Sequence, residues 1–260
     1  MTNFPDLECI GKQVLEAAGH SSPPTDLNAV CSLWPDLTVS EENLDKEGYL
    51  IPLGVHGAEL LIRRDDPPFR KKFTIAHELG HWVLANLDNV QVRFGKANQR
   101  VLAFRTEHKR QTTEEAWCNR FAASLLMPKE DIHRYLHSLK EVNLLDSIIR
   151  GPSIFRVSQE AFLFRVADIT HVSLFEVASA GATLKVRRRF FSKHEQPDQV
   201  EHVIGELLNG FQATNDFPQS HVLIDTYHAQ TKLIRASRYS RSWLVLVFPA
   251  NNDNVTMQPF

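Results

Sequence analysis

Apolar side chains recur every three or four positions in several stretches of the chain, and this period predicts amphipathic α-helices. Such helices are predicted over residues 6–18, 27–33, 67–86, 113–127, 128–140 and 198–211. Shorter apolar runs with turn residues at both ends predict strands instead. Strands are predicted over residues 48–54, 58–64, 184–191, 221–227, 231–236 and 242–248. Together these elements predict an α+β fold.

Local signals refine two of these regions. Asp66 is expected to be the N-cap of the third helix, with Pro67 at its first helical position. Residues 141–180 are predicted to be helical with a break at Gly151-Pro152, because both residues are poor helix formers. Two amphipathic helical pieces are predicted after that break, over residues 158–169 and 172–178.

The pattern changes from mainly helical to mainly strand-forming after about residue 181. This change predicts a domain over residues 1–180 and a smaller α+β accessory domain over residues 181–260. Each has enough residues to bury a core of its own.

Composition and charge narrow the classes of function. Hydrophobic residues make up 43% of the 260 residues, and 29 Lys+Arg stand against 31 Asp+Glu. Such a balance gives no overall attraction to nucleic acid or to an anionic membrane, so direct nucleic-acid binding is not expected. Three cysteines without a CxxC pair are typical of a reducing compartment.

The ends of the chain give no sign of targeting. Asp6 and Glu8 precede any apolar run, so no signal peptide is expected. The apolar run over Trp243–Pro249 is far shorter than the ~20 residues of a spanning helix. A cytoplasmic protein without membrane attachment is therefore expected.

His77-Glu78-Leu79-Gly80-His81 forms an H-E-x-x-H motif within the predicted helix 67–86. Residues four apart on a helix lie one above the other, with about 5–6 Å between their Cβ atoms. Both imidazoles can then reach one Zn²⁺ at roughly 2.0–2.1 Å. Glu78 faces the open coordination position, where a carboxylate can take a proton from water. The motif predicts His77 and His81 as metal ligands and Glu78 as the catalytic base.

Two histidines leave a catalytic zinc site one protein ligand short. The downstream candidates are Glu107, His108, Glu114 and Glu115. Glu115 lies near the start of the predicted helix 113–127, but Thr112 to Glu115 also has the spacing of a capping box. Glu115 could therefore serve the backbone rather than a metal, and the local pattern does not choose among the four.

Two segments resemble the paired motifs of the ImmA/IrrE family of bacterial and phage metallopeptidases. They are RKKFTIAHELGH at 70–81 and EAWCNRFAASLLMP at 115–128. The family typically reads R-x-R/K-F-T-x-A-H-E-L-G-H and then E-x-x-C/A-N-x-F-A-A-x-L-L-M-P. The resemblance covers roughly residues 5–180 and is strongest at 69–84 and 115–128.

The resemblance implies a zincin-like metallopeptidase core of helices with a small sheet, followed by the smaller α+β C-terminal domain. It implies that His77, His81 and Glu115 bind the metal and that Glu78 is the catalytic base. Glu115 is thus chosen among the four candidates by analogy and not by spacing. Zn²⁺ is the expected metal, and Mn²⁺ or Fe²⁺ can also occupy such a nitrogen and oxygen site.

Characterised members of this family cleave a helix-turn-helix repressor and so switch on genes of stress response or of mobile elements. The resemblance therefore implies a zinc-dependent endopeptidase whose substrate is a repressor encoded nearby, expected as a separate chain. The alternative is a non-proteolytic, zinc-binding regulatory or antitoxin-like module. The intact Glu78 favours the enzyme.

Some residues near the motifs have plainer interpretations. His133 and His137 also lie four apart, but no Glu follows His133, so a solvated helix face is expected. Cys118, three residues beyond Glu115, is expected to be a small buried filler. Asn119 fits equally well as a hydrogen-bond partner of the site and as a residue that holds the local backbone.

Other stretches are ambiguous. Residues 59–63 suit either an edge strand that pairs with an extended substrate or an ordinary strand. The basic run at 185–191 is interpreted as alternating exposure on a strand rather than as a nucleic-acid surface. Residues 158–176 faintly resemble a helix-turn-helix but lack a basic recognition face. Tyr49 and His108 are weak candidates for stabilising a reaction oxyanion.

Overall fold

The structure is a computed structural model that describes residues 6–88, 91–92, 108–138, 144–180, 183–214, 222–224, 227–236 and 241–249. The helices in these ranges are α1 (Leu7–Ala17), α2 (Leu27–Cys31), α3 (Pro68–Ala85), α4 (His108–Leu126), α5 (Lys129–Ser138), α6 (Leu144–Phe155), α7 (Gln159–Ile169) and α8 (Pro197–Thr214). The strands are β1 (Leu37–Glu42), β2 (Gly48–Pro52), β3 (Ala58–Arg63), β4 (Leu87–Asp88), β5 (Gln91–Val92), β6 (Ser173–Ala180), β7 (Thr183–Phe190), β8 (Val222–Ile224), β9 (Tyr227–Ala236) and β10 (Arg241–Pro249). The predicted α+β fold is confirmed. None of the helices in these ranges has the length and apolar character that a bilayer-spanning segment needs.

The internal contacts of the chain divide it into two compact units. Unit 1 comprises Met1–Asp131 with Ser153–Ser158, and unit 2 comprises Ile132–Pro152 with Gln159–Phe260. This division by contacts does not coincide with the predicted domain boundary at residue 181, which stays a prediction.

Unit 1 contains a three-stranded sheet with β3 at its centre. β1 runs parallel to β3, and β2 runs antiparallel to it. Ala58, Leu60 and Ile62 of β3 are buried and alternate with partly exposed residues, as expected of a strand with one face on a core. The edge-strand interpretation of residues 59–63 is wrong, because both sides of β3 already pair with neighbouring strands.

β1 was not predicted from the sequence. Only Leu37 of its six residues is buried, so the segment carries almost none of the alternating apolar pattern that predicts strands. It is a strand because β3 provides a partner, which is a property of the tertiary structure.

The start of α3 differs from the prediction in its cap. The N-cap residue is Pro67, and it makes no side-chain cap hydrogen bond. The Asp66 carboxylate instead accepts from Arg63 Nη2 and Nε at 2.7 and 3.0 Å. The prediction that Asp66 caps this helix is therefore wrong, because the helix begins one residue later than predicted and the Asp66 carboxylate is turned toward Arg63, with Oδ1 paired and Oδ2 buried without a hydrogen-bond partner among the described residues.

The fourth helix begins at His108, well before the predicted start at residue 113. A capping box requires its Glu at the third helical position. Glu115 lies more than a full turn beyond that position, so the capping-box interpretation is wrong. Its side chain is available to the site that α3 and α4 form.

The N-terminal part of unit 1 packs against the end of α4 and the start of α5 and forms hydrogen bonds with them. The contacts are Gly11 against Ser124, Thr25 Oγ1 donating to the Leu125 carbonyl at 2.8 Å, and His20 Nε2 with Asp131 Oδ2 at 2.7 Å. A Cβ on Gly11 would lie 2.9 Å from Ser124 Oγ, so a larger residue would require the Ser124 side chain or α1 to shift. His20 and Asp131 are 11% and 5% exposed, which shields their pairing from water.

The predicted helix break at Gly151-Pro152 is wrong, because α6 continues through both residues. A Cβ on Gly151 would lie 2.1 Å from Phe162 Cζ. The glycine therefore makes room for an aromatic ring and does not end the helix. The turn comes at Arg156, whose φ of 53° lies in the left-handed region that ends helices.

Unit 2 contains a five-stranded sheet in the order β7-β6-β10-β9-β8, with each adjacent pair antiparallel. One helix, α8, packs on the sheet through an apolar cluster. The buried cluster consists of Phe175, Val177, Val200, Val203, Ile204, Leu207, Tyr227, Ala229, Val245 and Val247.

Residues 172–178, predicted as a helical piece, form most of β6, and that prediction is wrong. β6 lies between β7 and β10, and Leu174, Phe175, Val177 and Ala178 are all buried. A strand buried on both faces shows a continuous apolar run, which cannot be told from a helix by its period. Residues 158–176 are therefore not a helix-turn-helix, because the second predicted helix is a strand.

The basic run at 185–191 lies mostly on β7, at one edge of this sheet. Arg188 Nη1 lies 3.3 Å from Glu160 Oε2, and Arg189 Nε pairs with Glu201. Acidic side chains of the same unit thus balance two of the cations. This arrangement favours the interpretation as an exposed strand over a nucleic-acid surface.

Candidate metal centre

The third helix brings two histidines together one turn apart. The ring centroids of His77 and His81 lie 5.1 Å apart, with their planes at 72°. The side chains are 16% and 10% exposed, so both rings sit in a largely dry site. The spacing follows from the helix itself, because positions i and i+4 share one face.

A carboxylate from α4 lies between the two rings. Glu115 Oε2 is 3.1 Å from His77 Nε2, and Glu115 Oε1 is 3.5 Å from His81 Nε2. One ligand atom from each residue lies within 4.8 Å of the other two. In the part of the chain that the structure describes, this is the one group of three such side chains.

The other candidates for the third ligand are placed differently. Glu114 lies on the far side of His81, with Oε1 3.0 Å from Nδ1. Glu107 lies outside the described residues, as does the side chain of His108. Tyr49 donates its hydroxyl to Asp45 Oδ1 at 2.7 Å.

The approach of α4 to α3 depends on Gly80. A Cβ at this position would lie 3.1 Å from Cys118 Cα and 3.2 Å from its sulfur. Cys118 is fully buried, and burial, with carboxylates nearby, raises the pKa of its thiol. A neutral thiol packed against a glycine suits a small buried filler, as the sequence indicated.

Each histidine uses its second ring nitrogen for a hydrogen bond. His77 Nδ1 lies 3.0 Å from Asn119 Oδ1, and His81 Nδ1 lies 3.0 Å from Glu114 Oε1. At His81 the Glu114 oxygen at Nδ1 is nearer than the Glu115 oxygen, which lies 3.5 Å from Nε2, and this favours hydrogen on Nδ1 and a lone pair on Nε2, the tautomer that a metal ligand needs. At His77 the two nitrogens have oxygen neighbours at nearly equal distances, 3.0 Å at Nδ1 and 3.1 Å at Nε2.

Glu78 is a half-buried carboxylate next to the ligand His77 on α3. Burial raises its pKa to about 7; nearby Glu115 acts in the same direction, and His81 opposes it. Burial also lowers the pKa of His77, helped by His81. Both shifts have the same origin, since a dry site disfavours charge.

Gly48 at the start of β2 lies against Thr74 and Glu78 of α3. A Cβ there would lie 2.5 Å from Thr74 Cγ2, which would have to shift, and 3.4 Å from Glu78 Oε1, an ordinary van der Waals distance. The sheet of unit 1 thus reaches the site at the beginning of β2.

The donor set fits a divalent metal ion. Two neutral imidazole nitrogens and a carboxylate oxygen are ligands that zinc and similar ions bind. The orientation of both rings is already fixed by hydrogen bonds at Nδ1. The sequence did not predict the role of Glu114, although two consecutive glutamates at 114–115 are a visible signal.

The chain is similar to a known protein family in sequence and to a solved structure in fold. Residues 36–167, just over half of the chain, match the sequence profile of Peptidase_M78, described as the IrrE N-terminal-like domain. A similar solved structure is described as a Mycobacterium tuberculosis transcriptional regulator. It is 13% identical, with 98% of this chain and 81% of that chain covered and a TM-score of 0.53, which shows similarity of fold alone. No curated protein matches the chain in sequence.

Proposed function

The chain belongs to the Peptidase_M78 family, and from that membership we propose that it is a zinc-dependent endopeptidase acting on a protein substrate. The observation that carries the proposal is the convergence of His77, His81 and Glu115. Glu78, the residue after His77, adds a carboxylate that the ligand set does not use.

Zn²⁺ is the proposed metal, with Mn²⁺ or Fe²⁺ as alternatives. Nε2 of His77, Nε2 of His81 and a carboxylate oxygen of Glu115 would hold it, because both imidazoles already present these nitrogens. A bound ion of this kind supplies Lewis-acid activation of water and of the scissile carbonyl.

Glu78 is the proposed general base. A single carboxylate beside the reacting centre can take the proton of the attacking water and then give it to the leaving amine nitrogen. Its place on α3, next to a ligand of the same helix, keeps it at a fixed position relative to both histidines. Gly48 of β2 lies beside its carboxylate, since a Cβ there would be 3.4 Å from Oε1.

The edge of β2 is the proposed track for the substrate backbone. Among the described strands, β2 pairs only with β3. The flanking ladder bonds are Arg63 N to the Glu47 carbonyl and Leu53 N to the Gly57 carbonyl. Because such bonds alternate along an antiparallel pair, the N–H and C=O groups of Gly48 and Leu50 point away from β3. A peptide paired there in extended form would pass beside Glu78.

The proposed substrate is a helix-turn-helix repressor encoded nearby, whose cleavage would derepress genes of stress response or of mobile elements. The support for this part is the family resemblance of the two motifs. A protein substrate rather than DNA is also favoured by the pairing of Arg188 and Arg189 of β7 with acidic side chains.

The test is to incubate the purified protein with such a repressor, in zinc buffer and with a chelator. Fragments are expected only with zinc, and they are expected to be absent with a Glu78→Gln variant that still binds zinc. Formation of a complex without fragments by the parent protein would favour the non-proteolytic module. Equal cleavage by parent and variant would show that Glu78 is not the base.

A further inference from the structure

The two histidines of the metal centre have Nδ1 partners of different charge. His77 faces the neutral amide oxygen of Asn119, whereas His81 faces the carboxylate of Glu114, both at 3.0 Å. An amide can turn over and present its NH₂ group, but an ionised carboxylate can only accept. The Glu114 contact, at 3.0 Å from Nδ1 against 3.5 Å between Glu115 and Nε2, therefore favours hydrogen on Nδ1 of His81.

His81 lies between two consecutive carboxylates of α4. Glu114 Oε1 approaches Nδ1 at 3.0 Å, and Glu115 Oε1 approaches Nε2 at 3.5 Å. Neighbouring residues of a helix point about 100° apart, which lets one turn of α4 reach both sides of one ring. His81 is only 10% exposed, so water screens these interactions weakly.

A carboxylate hydrogen-bonded to the far nitrogen of a ligating imidazole increases the electron density at the near nitrogen. An amide has a weaker effect because it carries no charge. The two ligands from α3 are therefore unequal, although the H-E-x-x-H spacing treats them alike.

We propose that Glu114 is a positioning residue of the metal centre, which holds His81 in the ligating tautomer and makes its Nε2 the stronger of the two imidazole ligands. This inference rests on the metal centre of the proposed function but not on peptide cleavage. Glu114 is 37% exposed and is not in the ligand group, so it acts through His81.

Metal affinity provides the first test. Zinc is titrated against a competing chelator for the parent, Glu114→Ala and Glu114→Gln. The alanine variant is expected to bind zinc about 10- to 100-fold more weakly. The glutamine variant is expected to lose less, since it keeps an acceptor oxygen but not the charge. Glu16→Gln, which removes an exposed carboxylate of α1, is the matched control and should bind as the parent does.

The tautomer of His81 provides the second test, with no metal present. Nitrogen NMR of the metal-free parent at pH 8 is expected to show hydrogen on Nδ1 of His81, and Glu114→Ala is expected to show a mixture of tautomers. Adding Asn119→Asp to Glu114→Gln should recover part of the zinc affinity, because it places a carboxylate on the other histidine. A merely structural role for Glu114 would give no such rescue.

The outcomes separate the two proposals. Zinc binding by Glu114→Ala within about twofold of the parent, or an unchanged His81 tautomer in it, would overturn this inference alone. A folded parent that does not bind zinc would overturn both this inference and the proposed function. Zinc binding without cleavage, together with the weakened Glu114 variants, would support this inference and contradict the peptidase.

Discussion

The metal centre on α3 and α4 of unit 1 and the helix–sheet contact of unit 2 bring together side chains of opposite character. Between α3 and α4 lie two imidazoles, an amide and two acidic side chains that touch them. Between α8 and its sheet lies an apolar cluster in which only Tyr227 carries a polar side-chain group. Buried apolar surface adds stability, whereas buried polar groups cost free energy unless they are paired.

The difference predicts that substitutions in these two regions affect different properties of the protein. The polar groups of unit 1 gain little for folding but are arranged to receive an ion. The apolar cluster of unit 2 contributes to folding and has no comparable chemistry. Substitutions in the two regions should therefore have opposite profiles, with loss of activity in one and loss of stability in the other.

Removal of a ligand should give the largest effect. His77→Ala is expected to lose stoichiometric metal and all measurable cleavage, because one imidazole and Glu115 leave the site a ligand short. Its metal-free unfolding midpoint should stay close to that of the metal-free parent. Metal analysis of the dialysed variant checks this, and full zinc occupancy would place the site elsewhere.

Substitution of Glu78, the proposed general base, should reduce peptide cleavage without affecting zinc binding. Glu78→Gln keeps the shape of the side chain and is expected to retain zinc, while cleavage falls by about 10²- to 10⁴-fold, the range of general acid–base contributions. Cleavage rates and zinc content measured on one preparation check it. A parallel loss of zinc would mean that Glu78 supports the ligand set instead.

Truncation of the apolar cluster should show the reverse profile. Phe175→Ala removes a fully buried ring from unit 2 and is expected to cost about 3–5 kcal/mol of unfolding free energy. Denaturant unfolding measures this cost. Zinc affinity of the folded fraction should be unchanged, and a weakened affinity would contradict the separation of roles between the two regions.

A pair of glycine substitutions should give the smallest and most discriminating effects. Gly205→Ala in α8 places its Cβ in open space and is expected to stabilise by about 0.5–1 kcal/mol, because glycine disfavours helices. Gly80→Ala places its Cβ 3.1 Å from Cys118 Cα and is expected to destabilise by roughly 1–2 kcal/mol and to weaken zinc binding. If Gly80→Ala raised the thermal midpoint as much as Gly205→Ala, the contact between α3 and α4 would accommodate the extra methyl group without cost.

Much of the metal centre could be predicted from the sequence, because its core is a local pattern. His77, Glu78 and His81 follow from the period of one helix. Glu115 comes from a second helix, and only the resemblance of its motif selected it. Glu114 was considered as a ligand and not as a partner of His81, since the direction of its side chain depends on how α4 lies against α3.

The errors in the fold share a physical cause. The sequence of β6 predicts a helix because burial on both faces removes the alternation that marks a strand. Gly151-Pro152 predicts a helix break because local propensity does not show the space that Phe162 requires. In each case a contact with a residue distant in the chain or with another strand decided the conformation.

The contacts of the N-terminal segment with α4 and α5 determine how short a fragment with an intact metal centre can be. Gly11, His20 and Thr25 brace the end of α4 and the start of α5, and all three precede residue 36, where the matched family profile begins. A protein truncated to residues 36–167 would keep every residue of the metal centre. It would lose the N-terminal contacts to the end of α4, the helix that carries Glu115. The matched profile therefore covers only part of the contacts that hold α4 and α5 in place, and the remaining contacts come from residues closer to the N-terminus.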